Sequence, residues 1–321
     1  MNASIESRAF GCLAGAAAGD AIGAPASFLT RAEIKRTYGC IGGFLDAADI
    51  TDDTQETMII AELLIRDGEF CEDAFCLAMK NWALEKKMLE SDLIGPSTRR
   101  FLASLIEGKD PREGAKTSDT NGSAMRVAPV GIKYWRDMDL CVKAAARSSL
   151  PSHGSAPAVA AACAVAAACA VGVRGGFSTA QVMEEAILAA RYGESSGFDI
   201  PAPKVSSRIA LAKRIVDENA GAGTEKTVCE LADVLGSGMK ACESVPFSLG
   251  VFYAAEGNAR DGVLAAVNAG DDADTNGAIC GAVCGAYSGA GALPTEWVRR
   301  VEVQSGLDFI KIAKLLVEYP C

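Results

Sequence analysis

Apolar residues recur at three- and four-residue intervals through most of the chain, the spacing that lines one face of a helix. The segments that read this way are 4–22, 53–66, 71–86, 97–107, 139–148, 157–173, 179–191, 204–219, 225–235, 244–256, 259–268, 275–288 and 305–318. Between them lie stretches rich in Gly, Pro, Ser or Asp, such as RDGEF, EGKDPREG, GESSGFDIPAP and NAGAGTE. Strand-like alternation is nearly absent. No run of like charge and no low-complexity stretch marks a linker, and chemically pointed motifs lie near both ends. The pattern predicts an all-α, single-domain fold over residues 1–321.

Two segments carry a second periodicity. Gly11, Gly15, Gly19 and Gly23 recur every four residues, as do Gly277, Gly281, Gly285 and Gly289. Glycine costs a helix about 1 kcal/mol relative to alanine. A stripe of it means that another backbone comes very close. Both stripes are expected in the core, with each other as natural partners, which would join the two ends of the chain. The longest apolar run, APAVAAACAVAAACAVGV at 156–173, is built on alanine and falls short of the ~20 residues of a membrane span. It reads as a buried core helix.

Composition narrows the function. Lys and Arg number 31 against 41 Asp and Glu, a formal charge of -10. Neither a nucleic-acid polymer nor an anionic membrane is a natural partner for such a chain. The 12 cysteines are scattered without a CxxC, and MNASIESRAF has no signal-peptide pattern. Reduced thiols and a cytoplasmic location are expected. His153 is the only histidine, so HExxH and Cys/His zinc sites are excluded. Any Ser-His-Asp or Cys-His mechanism would have to use it.

The acidic motifs are the main chemical signal. TDDT at 51–54 and GDDADT at 270–275 each put Asp and Thr at a helix start. Such residues cap helices, yet a cap needs one of them and here there are several. Thr51, Asp52, Asp53, Asp272, Asp274 and Thr275, with no histidine among them, suit a hard cation such as Mg²⁺, Mn²⁺ or Ca²⁺. DADTNG matches the opening of an EF-hand loop, but the twelfth position is Val283 and the segment continues as helix, so that motif is rejected. If the clusters converge, their charge would balance two divalent ions about 3.5–4 Å apart. A third motif, DTNGSAMRVAPVG at 119–131, offers an Asn-Gly turn followed by Arg126. It reads either as an anion cradle or as an ordinary turn with a structural ion pair. His153, just before the alanine-rich helix, is either structural or a ligand's hydrogen-bond partner.

Taken in order, GCLAGAAAGDAIGAP (11–25), TDDT, NGSAMRVAPVG, the SH at 152–153 and GDDADT with its glycine helix resemble the ADP-ribosylglycohydrolase family over residues 8 to about 290. The resemblance implies an orthogonal multi-helix bundle holding two Mg²⁺ or Mn²⁺ ions. It puts the metal ligands at Thr51, Asp52, Asp53, Asp272, Asp274 and Thr275. Asn121, Gly122 and Ser123 match the phosphate and ribose loop, and His153 matches a position lining the cleft. Family members that remove ADP-ribose usually carry a glutamate where this chain has Ser27. Asp53 and Asp272 are then the catalytic candidates. Glu56, one turn after Asp53, and Asp271, where the family has glycine, are candidates to replace the missing glutamate. NWALEKKMLESDLIGPSTRRFLASL resembles a bacterial branch that often accompanies sugar kinases and nucleoside transporters.

The expected activity is metal-dependent hydrolysis at the anomeric carbon of ribose in an ADP-ribosyl conjugate, with Arg126 and the Asn121 loop on the phosphates. A small nucleoside or ribosyl metabolite is the second reading. A non-catalytic, crystallin-like or ligand-binding role, permitted by Ser27, is the third. A cysteine hydrolase using His153 is the fourth. The glycine-rich loop at 39–50 is a candidate lid.

Overall fold

The computed structural model describes residues 3–45 and 47–318. Among the described residues are eighteen α-helices and three single 3-10 turns. Extended pairing is limited to isolated bridges between Thr120 and Lys240 and between Ser155 and Phe198. One buried apolar cluster draws on the chain from Ala9 to Leu316.

Local chemistry starts these helices where the sequence says it should. Ser4 accepts the Ser7 N–H ahead of the helix Ile5–Gly23. Ser178 and Gln181 form a capping box ahead of Thr179–Ser196. Two helices escape the periodicity, Arg31–Tyr38 and Thr295–Ser305. The first buries only Ile34, and the second only Trp297 and Val301, so neither carries an apolar stripe. A capping box of Thr30 and Glu33 does mark the first of them. The helix expected over 305–318 is broken by Gly306, at φ 71, and begins at Phe309. The short helices Arg112–Ala115, Gly122–Met125 and Ala128–Lys133 also lay below what periodicity detects.

The glycine stripes do meet. Ile5–Gly23 lies antiparallel on Ala273–Ser288, with Gly11 against Gly285, Gly15 against Gly281, Gly19 against Gly277 and Gly23 against Ala273. A Cβ at Gly11 would sit 2.5 Å from Gly285 O, and one at Gly277 would sit 2.5 Å from Gly19 O. Gly15 and Gly281 leave less room still. The far end of this pair is tied by Arg8, whose guanidinium donates to Gly172 O, Ala286 O and Tyr287 O. Those carbonyls end two helices, where a cation is favoured.

The alanine-rich helix, Ala156–Arg174, passes through the middle. By length and composition it would cross a membrane, with a mean hydropathy of 2.1, but 94% of it is buried within the fold. Every residue from Pro157 to Val173 is buried. Its small side chains admit backbone at close range. A Cβ at Gly131 would lie 2.5 Å from Ala166 O, and one at Gly193 would lie 2.5 Å from the Ala160 Cα. The 11 cysteines among the described residues form no disulfide.

The close helix pair yields a direct test. Gly281→Ala should lose about 3 kcal/mol or more in urea unfolding, because its methyl meets backbone that cannot turn aside. Gly42→Ala, where nothing lies within 4 Å, should stay within about 1 kcal/mol of wild type. Equal behaviour of the two variants would mean that the helices are not locked at this spacing.

Candidate functional site

Both acidic motifs sit at helix N-termini, although only the first of them caps its helix through a side chain. Thr51 caps Asp52–Asp67, its Oγ1 accepting the Asp53 N–H at 3.2 Å. Asp272 stands at the start of Ala273–Ser288. The antiparallel glycine pair brings that start back beside Gly23, near the beginning of the chain. The two clusters thereby face one cavity of about 220 Å³. Its walls include Thr51, Asp52, Asp53, Asp272, Asp274 and Thr275, together with Ser27, Asn121 and Gly122. Thr275 Oγ1 donates to Asp53 Oδ2 at 3.4 Å, a direct link between motifs 222 positions apart.

Sequence reasoning passed over Asp20 as a site residue, although its signal was visible: the lone carboxylate in the small-residue stretch from Gly11 to Gly23. Asp20 is fully buried. It accepts the N–H of Thr51 at 3.0 Å, the N–H of Thr54 at 3.2 Å, and the Thr54 hydroxyl. It therefore anchors the TDDT turn to the glycine-striped helix. Burial pushes its pKa up to about 7, against which the threonine donors work. Asp92, Thr98 and Thr120 also line the cavity. Asp92 sits in an exposed loop, where a carboxylate sends no signal.

The cluster is electrostatically costly. Asp52, Asp53, Asp272 and Asp274 all have pKa values raised, first by burial. Neighbouring carboxylates add to the rise at Asp52, Asp53 and Asp272. Asp53 Oδ1 is buried with no hydrogen-bond partner. Asp272 is held by the Asn121 side chain, which also reaches Ser244 Oγ at 2.9 Å. Ser244 in turn donates to Asn276 Oδ1 at 2.9 Å. Among the described residues no group of three or more His, Cys, Asp or Glu side chains is arranged so that it could hold a metal ion. Threonine hydroxyls and the Asn121 amide interleave the acids.

Several expected site residues lie elsewhere. Glu56, expected as a base, is fully buried and paired with Arg126, which is also fully buried. Arg126, expected on a phosphate, instead donates to Glu56, Ser148 O and Ser152 Oγ, and its guanidinium lies over the Phe75 ring. The pair is charge-balanced, although Glu56 Oε1 and Arg126 Nε make no hydrogen bond, and neither residue lines the cavity. His153 stands behind the wall. Its Nδ1 meets Ser152 Oγ at 2.8 Å and its Nε2 meets Thr120 Oγ1 at 3.1 Å. Burial and then the nearby Arg126 push its pKa well down, so the ring is neutral. A Cβ at Gly122 would lie 2.8 Å from His153 Nε2, so glycine is required at that turn. Ser123 is buried and spends its hydroxyl on Ala158 O and Ser149.

Asp271 is exposed and stands outside the cavity wall. It adopts φ 61, and Phe28, inside the wall, adopts φ 64. Each is a left-handed position that a side chain disfavours. They hold one another, since Phe28 N–H donates to Asp271 O and Asp271 N–H donates to Leu29 O at 2.8 Å. Ser27, at the expected glutamate position, accepts the Asp274 N–H at 3.1 Å. None of the described residues of the loop at 39–50 lines the cavity. Its Ile41 is clamped in both directions by the Asn268 side chain, at 2.9 Å each way, and its Phe44 packs on Trp297. Asp46, in the same loop, lies outside the described residues.

Comparisons with known proteins follow this geometry. The family model described as ADP-ribosylglycohydrolase matches residues 1–320. YegU of Escherichia coli strain K12 is 30% identical over 326 residues, 97% of each chain. The ADP-ribosylarginine hydrolase Tri1 of Pseudomonas putida strain GB-1 is 27% identical over 302 residues, 92% of this chain and 74% of that one. A solved structure described as an ADP-ribosylglycohydrolase-related protein complex aligns with a TM-score of 0.70 at 25% identity, over 98% of this chain and 99% of that one.

Two stability measurements probe the site. Arg126→Met strands Glu56 without its partner and should cost about 3–5 kcal/mol. Adding Glu56→Gln should recover most of that loss in a double-mutant cycle; strict additivity would mean the pair is not coupled. The second concerns pH. The folded carboxyls hold protons to higher pH than the unfolded value of 3.8. Their contribution is therefore complete below that value and is lost as pH rises through the folded values, about 7 for Asp20. In EDTA the melting temperature should fall between about pH 5 and about pH 8. A flat profile would show that the cluster is not desolvated.

Proposed function

The chain belongs to the ADP-ribosylglycohydrolase family, and from that premise we propose that it hydrolyses the bond to the anomeric carbon of a ribosyl unit, using a pair of divalent cations. The meeting of two Asp/Thr helix starts in one cavity carries this reading. The donor set fits hard cations, because the polar side chains on the wall present carboxylate, hydroxyl or amide groups and none presents thiolate or imidazole, the sulfurs there being the thioethers of Met125 and Met239. The orphaned Asp53 Oδ1 and the raised carboxyl pKa values point the same way: this much buried negative charge calls for a positive partner. Thr51, Asp52, Asp53, Asp272, Asp274 and Thr275 would hold Mg²⁺ or Mn²⁺. Bound there, the cations would supply Lewis-acid polarisation and a nucleophile available at neutral pH.

The rest of the chemistry belongs to the chain. Asp53 and Asp272, both on the wall, are the carboxylates placed to take up a proton. Asn121 orients Asp272, and Asp20 holds the turn that carries Asp53. Ser27 fixes the backbone of Asp274 and is no base. Glu56 and Asp271 do not replace the family glutamate, one being paired with Arg126 and the other lying off the wall. A thiol route lacks its nucleophile, because no cysteine lines the cavity.

An ADP-ribosyl conjugate is the first substrate class, by likeness to a relative named as an ADP-ribosylarginine hydrolase. A specific observation favours a second class, a small ribosyl compound without phosphates. The wall carries Asp52, Asp53, Asp92, Asp272 and Asp274 and no Lys, Arg or His. A cavity of 220 Å³ is also below the ~300–1,000 Å³ typical of drug-sized ligands.

Product release decides between them. ADP-ribosyl-arginine, ADP-ribosyl-serine peptide, ADP-ribose 1″-phosphate and ribonucleosides would each be tested with Mg²⁺, Mn²⁺ or EDTA. Turnover should vanish in EDTA. Asp53→Asn should lower kcat/KM by at least about 100-fold and weaken Mg²⁺ binding in calorimetry. Release of ADP-ribose supports the first class and release of free ribose the second. Turnover that survives EDTA would overturn the metal reading.

A further inference from the structure

Phe28 joins three observations that the hydrolytic chemistry does not use. It is 64% exposed yet forms part of the cavity wall, and Leu93, 52% exposed, lines the same cavity. Its backbone is held at φ 64, in a region that bulky residues avoid. Two hydrogen bonds with the Asp271 loop maintain that conformation, and Asp271 is itself held at φ 61. A ring this exposed adds little to the core, so the fold has small use for an aromatic in a strained conformation. Strain of this kind, held in place by its surroundings, collects at ligand sites. The neighbouring Ser27 contacts Asp274, which puts Phe28 one residue from the acidic cluster. The wall also carries Met125, Met239, Leu93 and Asp92 and, among the described residues, no Lys, Arg or His.

We propose that Phe28 is the specificity-determining residue on the leaving-group side of the cavity, a platform on which a planar aromatic aglycone without phosphate stacks while its ribose lies over the acidic cluster. An aromatic face accepts such a ring whatever its hydrogen-bonding edge, and the acidic surroundings repel an anionic one. The proposal rests on the ribosyl-hydrolase reading above and names the leaving group for it.

Binding tests it apart from turnover. Both anomers of p-nitrophenyl ribofuranoside and of methyl ribofuranoside would be titrated calorimetrically into wild type, Phe28→Leu, Phe28→Tyr and Phe28→Gly with Mg²⁺ present. In wild type the p-nitrophenyl compound should bind about tenfold tighter than the methyl compound. Phe28→Leu should erase that advantage and leave methyl riboside affinity unchanged, while Phe28→Tyr should keep it. Phe28→Gly suits the left-handed backbone, so it should erase the advantage without lowering the melting temperature. Equal affinities in wild type, or an advantage that persists in Phe28→Leu, would overturn the proposal. A methyl riboside that binds without a ring advantage sinks the platform alone. If no riboside of either kind binds or is cleaved, the ribosyl reading itself fails.

Discussion

Backbone packed against backbone is the contact on which this molecule depends. Helix Ile5–Gly23 and helix Ala273–Ser288 approach so closely that their glycines face carbonyls where side chains would normally stand. The pairing is antiparallel, so it does more than fill the core. It returns the N-terminus of the second helix to the C-terminal end of the first. The GDDADT start is thereby delivered to the segment that holds Asp20 and leads on to Ser27. An increase of a few ångströms in helix separation would part the acidic clusters, since no loop joins them.

The interior holds buried charge in two different ways. Glu56 and Arg126 neutralise one another out of contact with solvent, and Ser148 O and Ser152 Oγ accept from one further guanidinium nitrogen. One turn earlier on the same helix, Asp52 and Asp53 have no cationic side chain against them. Burial raises the Glu56 pKa too, against the pull of Arg126, whereas at Asp52 and Asp53 like charges add to burial. The first arrangement is charge-balanced within the chain, although Glu56 Oε1 and Arg126 Nε make no hydrogen bond. The second is not, which separates a structural acid from a site acid on one helix. Asp20 is intermediate: three donors satisfy it, yet burial still lifts it to about 7.

A polar chain links the two arrangements. It runs from Glu56 through Arg126 and Ser152 to His153, and from there to Thr120 on the cavity wall. Each member is fixed by the next, so the wall is stiff where the ribosyl unit would rest. Phe28, on the same wall, is also pinned, though by backbone hydrogen bonds to the Asp271 loop outside it. The cavity wall thus joins the acidic cluster to the apolar side chains of Phe28, Leu93, Met125 and Met239, set by elements that pack elsewhere.

The sequence by itself determined the helical class, the glycine stripes and the two acidic helix starts. These are local signals: periodicity, helix cost and capping preference act within one or two turns. It also carried the family resemblance. It could not separate Asp53 from Glu56, three positions apart and both acidic on the same helix, because their difference is the presence of Arg126 across the core. Nor could it place His153, Ser123 and Arg126 behind the wall, show that Asn121 holds Asp272, or expose Phe28 on the cavity wall. The helices Arg31–Tyr38 and Thr295–Ser305 were hidden for a related reason, since each buries too few residues to leave a pattern. Those assignments belong to the tertiary structure alone. Burial and charge pairing are fixed by which distant segments meet, and spacing along the chain does not encode what stands on the other side of a contact.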